Sequence, residues 1–248
     1  MEMARFVRWT PSRCLVSELA WTPDQDTRIL PFLRARGIDA YEIVPSKRNW
    51  DMTAYKNVYS MQSLLYGVDI QIFQEQERFL DVLRDRLALL RGVGCKVIVF
   101  GSPRQRIYSG EDAIGLFRRI GALCEASGIL FCLEPNAASY GGNWMTTLRD
   151  TVEFVAAVGH PAIAVNVDTG SMILEGEEEI PPNTPIGHVQ VSFPGLGGWN
   201  TVLVPAVQRI LSQIPDSYAG KISFETLTPS LAGIESFLSV CSPFQKSQ

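Results

Sequence analysis

Short apolar runs of strand character alternate along the chain with longer segments whose apolar residues recur at helical spacing. The runs predict strands at 14–20, 40–44, 58–62, 96–100, 130–133, 162–167, 188–191 and 221–224. Between them 26–36, 75–91, 111–126, 147–158, 202–214 and 230–240 read as amphipathic helices. Gly37, Gly92, Gly128, Gly159 and Gly220 follow most of these helices, at or near the position where a left-handed cap favours glycine. Near-continuous β-branched strands separated by helices imply a parallel sheet covered on its outer face. Eight such units in 248 residues match a single-domain (β/α)8 TIM barrel, which typically takes about 250 residues. A doubly wound open sheet is the alternative, but it would normally carry a phosphate-binding glycine fingerprint after its first strand, and none is present. Two units are irregular. Residues 45–56 form a long polar loop after strand two, and 171–185, with an acidic run at 175–179, leave little room for a helix after strand six.

Composition narrows the classes. A chain that is 46% hydrophobic and 19% charged is not intrinsically disordered. A net charge of −4 argues against a nucleic-acid partner, which needs a concentrated basic face. No apolar stretch approaches the roughly 20 residues that cross a bilayer, so no membrane span is expected. Residues 1–10 carry charge but no apolar core, so no secretory leader is expected. Five cysteines in mostly apolar contexts, with no CxxC pair, fit reduced, buried thiols in a cytoplasmic protein. Homo-oligomerisation is left open.

In a barrel the interior is packed with apolar side chains, and a charged residue at the carboxyl end of a strand faces the mouth, where active sites lie. Strand five ends in Glu134 and Asn136, strand six carries Asn166 and Asp168, strand seven carries His188, Gln190 and Ser192, and strand eight ends in Glu225. His188 and Gln190 are two apart and therefore share a face of their strand. Three carboxylates converging on one mouth would repel one another, and a divalent cation removes that cost. Carboxylates with an amide oxygen form a hard donor set that suits Mn²⁺ or Mg²⁺.

On LEPN at 133–136, NVDTG at 166–170, GHVQVS at 187–192 and SFET at 223–226, the sequence resembles the xylose-isomerase-like TIM barrels. That superfamily (sugar phosphate isomerase/epimerase family, AP-endonuclease-2-like fold) includes sugar isomerases, ketose epimerases, inosose dehydratases and AP endonucleases. SELAW, YEIVPSK, SMQSLLYG and VIVFGSPRQR extend the resemblance through the first half of the chain. It implies one divalent metal held by Glu134, Asp168, Gln190 and Glu225. The ketose epimerases carry HxH in strand seven, where this chain has Gln190 in the second position. They also carry a histidine where this chain has Ser171, an acid where it has Tyr140, and an arginine with no counterpart near Leu196. The ring of sugar contacts is therefore rebuilt, and a standard ketohexose 3-epimerase is disfavoured.

The chemistry expected is a metal-dependent isomerisation or epimerisation of a small sugar or sugar derivative through an enediolate, with Glu134 and Glu225 carrying protons. Dehydration of an inosose-like or keto-sugar substrate is the alternative enzyme class, and a non-catalytic barrel that has lost its metal is the third reading. His188 is a candidate acid or hydrogen-bond donor, weighed against a satisfied interior histidine. Arg104 and Arg106 are candidates for a substrate phosphate or carboxylate. Lys47, Gln62, Asn136, Tyr140 and Asn143 are candidates for sugar hydroxyls. His160, in the turn before strand six, reads as structural, and the run at 175–179 reads as a solvated face.

Overall fold

The computed structural model describes residues 10–228 and 230–241. Eight parallel strands run β1 (Cys14–Val16), β2 (Tyr41–Ile43), β3 (Val58–Met61), β4 (Val97–Phe100), β5 (Leu130–Leu133), β6 (Ile163–Asp168), β7 (Ile186–Val191) and β8 (Ile222–Phe224). They pair in the order β1-β8-β7-β6-β5-β4-β3-β2, and a single parallel bridge from Ser17 to Glu42 joins β1 to β2 and closes the ring. The helices are α1 (Asp26–Arg34), α2 (Gln76–Arg91), α3 (Ala113–Glu125), α4 (Leu148–Val158), α5 (Thr169–Leu174), α6 (Val204–Leu211) and α7 (Leu231–Cys241). The chain is thus a single-domain (β/α)8 barrel. Among the described residues no helix is long and apolar enough to cross a membrane.

Two sequence expectations change in detail. The run expected to be strand one from 14 to 20 stops at Val16, because Ser17 caps a 3₁₀ turn over Glu18–Ala20 by accepting the Leu19 N–H. The loop expected after β2 is a loop, with 3₁₀ turns at Pro45–Arg48 and Met52–Ala54. After β6 a six-residue helix does fit, because Asp168 caps it directly, its Oδ1 accepting the Ser171 N–H at 2.7 Å. Two glycines expected as left-handed caps also differ: Gly92 is right-handed, with Gly94 taking the positive φ, and Gly220 is not in the left-handed region.

Period-two alternation sorts the strands into two faces. Ile98, Phe100, Phe131, Leu133, Val165 and Val167 belong to the large core between sheet and helices. Val97, Val99, Cys132 and Ala164 form a small separate cluster inside the barrel. Much of the rest of the interior is polar: Glu42, Ser60, Asn166, His188, Gln190 and Ser223 are all fully buried. Two bulges help build this layer. Asn166 pairs with His188 while Val165 pairs with Ile186, leaving Gly187 as the extra residue; a Cβ there would lie 2.5 Å from Cys132 Sγ and 2.7 Å from Ala164 Cβ. Likewise Tyr41 pairs with Val58 and Glu42 with Ser60, so Tyr59 is extra. Bulges re-aim side chains at barrel rims, and these two flank the residues that meet across the interior.

The described cysteines Cys14, Cys95, Cys124 and Cys132 are buried and unbridged; the side chain of Cys241 lies outside the described residues. His160 is structural: its Nδ1 accepts the Ala162 N–H, and its ring packs so closely on Gly121 that a Cβ there would collide with it. The acidic run is not simply a solvated face. Glu175 accepts the Ala138 N–H, Glu177 accepts the first N–H groups of α4, and Glu178 pairs with Arg209.

Candidate active site

Glu42 sits at the centre of the barrel. Nothing in the apolar run around it, Ala40 to Val44, marks it as a hub, and it was not among the sequence candidates. Ser60 Oγ donates to it at 3.0 Å, Gln62 Nε2 at 3.1 Å, Gln190 Nε2 at 3.0 Å and Ser223 Oγ at 2.9 Å, and His188 Nε2 lies 2.9 Å from Oε2. Burial alone would raise its pKa. The hydrogen bond and charge of His188, followed by the bonds from Gln190 and Ser223, outweigh that and hold the carboxyl below its ordinary value. It is a buried anion stabilised by convergent donors.

This layer corrects two sequence expectations. His188 is an interior histidine, its Nε2 paired with Glu42, its buried Nδ1 without a partner and its ring 6.2 Å from that of Tyr59, and it does not line the cavity. Gln190 shares the face of His188 as the spacing predicts, but it is engaged on both sides. Its amide nitrogen donates to Glu42 and its oxygen accepts from Asn166 Nδ2, and it does not line the cavity.

Above this floor, at the carboxyl ends of the strands, lies a cavity of about 360 Å³. Glu134, Asp168 and Glu225 all line it, with Gln62, Asn136 and Tyr140 from the other sequence candidates. Asn136 Nδ2 donates to Glu134 Oε1 at 2.8 Å, and Asn136 Oδ1 has no partner. Asp168 is fixed by the start of α5 on Oδ1 and by the Ser192 hydroxyl on Oδ2, each at 2.7 Å. Gln62 spans the two layers, lining the cavity while its Nε2 donates to Glu42 and to Ser17 Oγ. The Tyr140 hydroxyl accepts the Gly195 N–H at 3.0 Å and so links the loops after β5 and β7.

The three cavity carboxylates behave oppositely to Glu42. Burial and the charge of Asp168 push Glu134 up to about 8, against the opposing charge of Arg106. Burial raises Asp168 despite the bonds from Ser171 and Ser192, and burial with the charges of Glu134, Asp168 and Glu42 holds Glu225 well above the usual carboxylate range. The crowding of the three buried acids favours their protonated forms.

The remaining candidates lie elsewhere. Lys47 Nζ donates to the carbonyls of Glu18, Leu19 and Trp21, pinning the first loop rather than meeting a substrate. Arg104 is exposed and outside the cavity lining. Arg106 is fully buried and outside the lining, with one bond to the Met145 carbonyl and its Nε and Nη1 unpartnered; burial brings its pKa down to about 10. Asn143 exchanges hydrogen bonds with the Tyr108 backbone. Lys47 and Asn143 are held by backbone groups of neighbouring loops, and after the sharp turn at Ser102, whose φ is +50°, it is Ser102, Pro103 and Gln105 rather than Arg104 or Arg106 that line the cavity. Among the described residues no group of three or more His, Cys, Asp or Glu side chains is set to hold a metal ion.

No match is found among curated protein sequences. Among solved structures, similar folds include the apo form of 3-keto-D-glucoside 4-epimerase, YcjR, from E. coli, with a TM-score of 0.63 and 17% identity, covering 92% of this chain and 97% of that one. The IolI protein with a bound zinc atom superposes with a TM-score of 0.68 at 14% identity, over 95% of this chain and 100% of that one. D-psicose 3-epimerase with D-tagatose from Clostridium cellulolyticum H10 gives 0.62 at 17% identity, over 90% and 89%. At such identities the likeness speaks for the fold. The sequence itself matches the model of one family over residues 21–225, a span running from the loop after β1 to Glu225. The chain belongs to the xylose isomerase-like TIM barrel family.

Proposed function

We propose that this chain is an isomerase or epimerase of a small sugar or sugar derivative. The observation that carries the reading is the convergence of Glu134, Asp168 and Glu225 on one cavity, each with its carboxyl raised by its surroundings. The sugar-epimerase neighbours of the same fold support it. A carbon-bound proton beside a carbonyl is weakly acidic, and its removal requires a base whose pKa lies near the working pH. Glu134, at about 8, meets that requirement. Glu225 stands three strands away around the ring and serves as its partner. Removal of the proton by one and return by the other to the same carbon inverts that carbon; return to the neighbouring carbon moves the carbonyl.

The donor chemistry of the trio fits a hard divalent cation, Mn²⁺ or Mg²⁺, since three buried carboxylates that repel one another are what such an ion relieves. As they stand Glu134, Asp168 and Glu225 are not set as a metal-holding group, so they would hold the ion, without Gln190, only by drawing together around it, and it would then stabilise negative charge on the substrate oxygens. Asn136 orients Glu134 by its hydrogen bond. Gln62, Asn136 and Tyr140 are the side chains offered to sugar hydroxyls. We place the enzyme in the cytoplasm, where its buried thiols stay reduced.

The test is a panel of sugars in deuterated water, followed by NMR for loss of carbon-bound protons, with and without added Mn²⁺. Exchange without loss of water is expected. Exchange with loss of water would assign a dehydratase instead, and no exchange with any sugar, together with no Mn²⁺ binding, would leave a non-catalytic barrel.

A further inference from the structure

The cavity mouth divides into two arcs. From β4 to β6 it is polar, with Ser102, Gln105, Asn136, Tyr140 and Ser171. From β7 through β8 and β1 to β3 its rim is mostly apolar, with Leu196, Leu227, Leu19, Leu65 and Tyr66 beside Gln62 and Ser63 at the end of β3. Among the described residues, none that lines the cavity is Lys, Arg or His, and the charged ones are all acids. A phosphate or carboxylate on a ligand would therefore meet Glu134, Asp168 and Glu225 with no guanidinium or ammonium to pair it.

The apolar arc is built rather than incidental. Tyr66 is 67% exposed and Leu227 57% exposed at this rim, where large apolar side chains face solvent beside a ligand cavity. Leu196 has a φ of +53°, a left-handed conformation that a leucine rarely adopts. Its carbonyl accepts the Leu227 N–H at 2.9 Å and the Thr226 hydroxyl at 3.3 Å, so the β7 and β8 loops are locked together with both leucines on the mouth.

We propose that the substrate is an uncharged sugar carrying an apolar substituent, an aryl or alkyl group, rather than a sugar phosphate or a sugar acid. The ring lies over the carboxylates and the substituent lies against Leu19, Tyr66, Leu196 and Leu227. The cavity, about 360 Å³, suits a single ring with one substituent, at the small end of the roughly 300–1,000 Å³ range of ligand sites. The proposal rests on the sugar isomerase or epimerase reading and names its substrate class.

Binding tests it without turnover. Methyl and phenyl glycosides of glucose, galactose and mannose, and the 6-phosphates of the same hexoses, are titrated by calorimetry and saturation-transfer NMR. The phenyl glycoside of at least one sugar binds about tenfold or more tighter than its methyl counterpart, and no 6-phosphate binds. Tyr66→Ser and Leu227→Ser, both at exposed positions that the fold tolerates, each lower the phenyl-over-methyl ratio by about threefold or more. Equal phenyl and methyl affinities, a ratio unmoved in both variants, or tighter binding of a 6-phosphate would overturn the proposal. Proton exchange on a sugar phosphate would do so while leaving the isomerase reading intact, whereas binding of no sugar at all removes both.

Discussion

Glu42 and Glu134 are glutamates of one barrel, close enough to feel each other's charge, yet the first is held ionised and the second is pushed up to about 8. Both lose water on folding. Glu42 gains Ser60, Gln62, His188, Gln190 and Ser223 in exchange, whereas Glu134 gains Asn136 and the repulsion of Asp168. Burial by itself does not set the charge of an acid; the number of donors aimed at it, and the sign of its neighbours, decide. The floor of the barrel is built for a stable anion, and the mouth is built for protons that can move.

Breaking the floor should have the largest effect. Glu42→Ala leaves His188, Gln190 and both serines buried without their partner, and is expected to cost about 3–5 kcal/mol of stability, read from urea unfolding. Glu134→Gln and Glu225→Gln should do the reverse. Each removes a buried acid whose charged form is disfavoured, so the thermal midpoint at pH 7 holds or rises, while sugar proton exchange falls by at least about 10²-fold. A drop in stability comparable with that of Glu42→Ala would erase the distinction between the layers.

The two acids also give stability opposite pH slopes in metal-free protein. Folded Glu134 keeps its proton from the ordinary value of 4.5 up to about 8, so stability declines as pH rises through that window, and Glu134→Gln flattens the decline. Folded Glu42 stays charged below 4.5, so its contribution is complete above that value and is lost as pH falls further. Unfolding curves from pH 3 to 9, scaled as about one curve per pH unit, separate the two. The smallest change expected is Ser192→Ala, which removes one donor from Asp168 and costs about 1 kcal/mol. It also raises the Asp168 carboxyl further.

The barrel and its carboxylate trio are legible in the chain because both obey local rules. Strand length, period and the position of an acid just past a strand end can be read from neighbours in sequence. Residues whose role depends on a distant partner are not legible in this way. His188 and Gln190 share a face as their spacing says, but what they face is Glu42, nearly 150 positions earlier, which sits in an ordinary apolar run. Arg104 and Arg106 follow the right strand, yet after the left-handed turn at Ser102 it is Ser102, Pro103 and Gln105 that line the cavity, with Arg104 exposed and Arg106 buried outside the lining, while Asn143, after β5, is held by the Tyr108 backbone. Lys47 follows the right strand as well, and three backbone carbonyls hold it. The apolar arc was equally hidden, since Leu19, Tyr66, Leu196 and Leu227 come from four loops and meet only once the ring closes.

The most direct measurement is a carboxyl-carbon NMR titration of metal-free protein labelled at glutamate, with Glu42→Gln and Glu134→Gln used to assign the two signals. The resonance that disappears in Glu134→Gln should titrate near pH 8, and the one that disappears in Glu42→Gln should remain ionised below pH 4.5. Two signals titrating together near the ordinary glutamate value would contradict the division of the barrel into a fixed anionic floor and a protonated mouth.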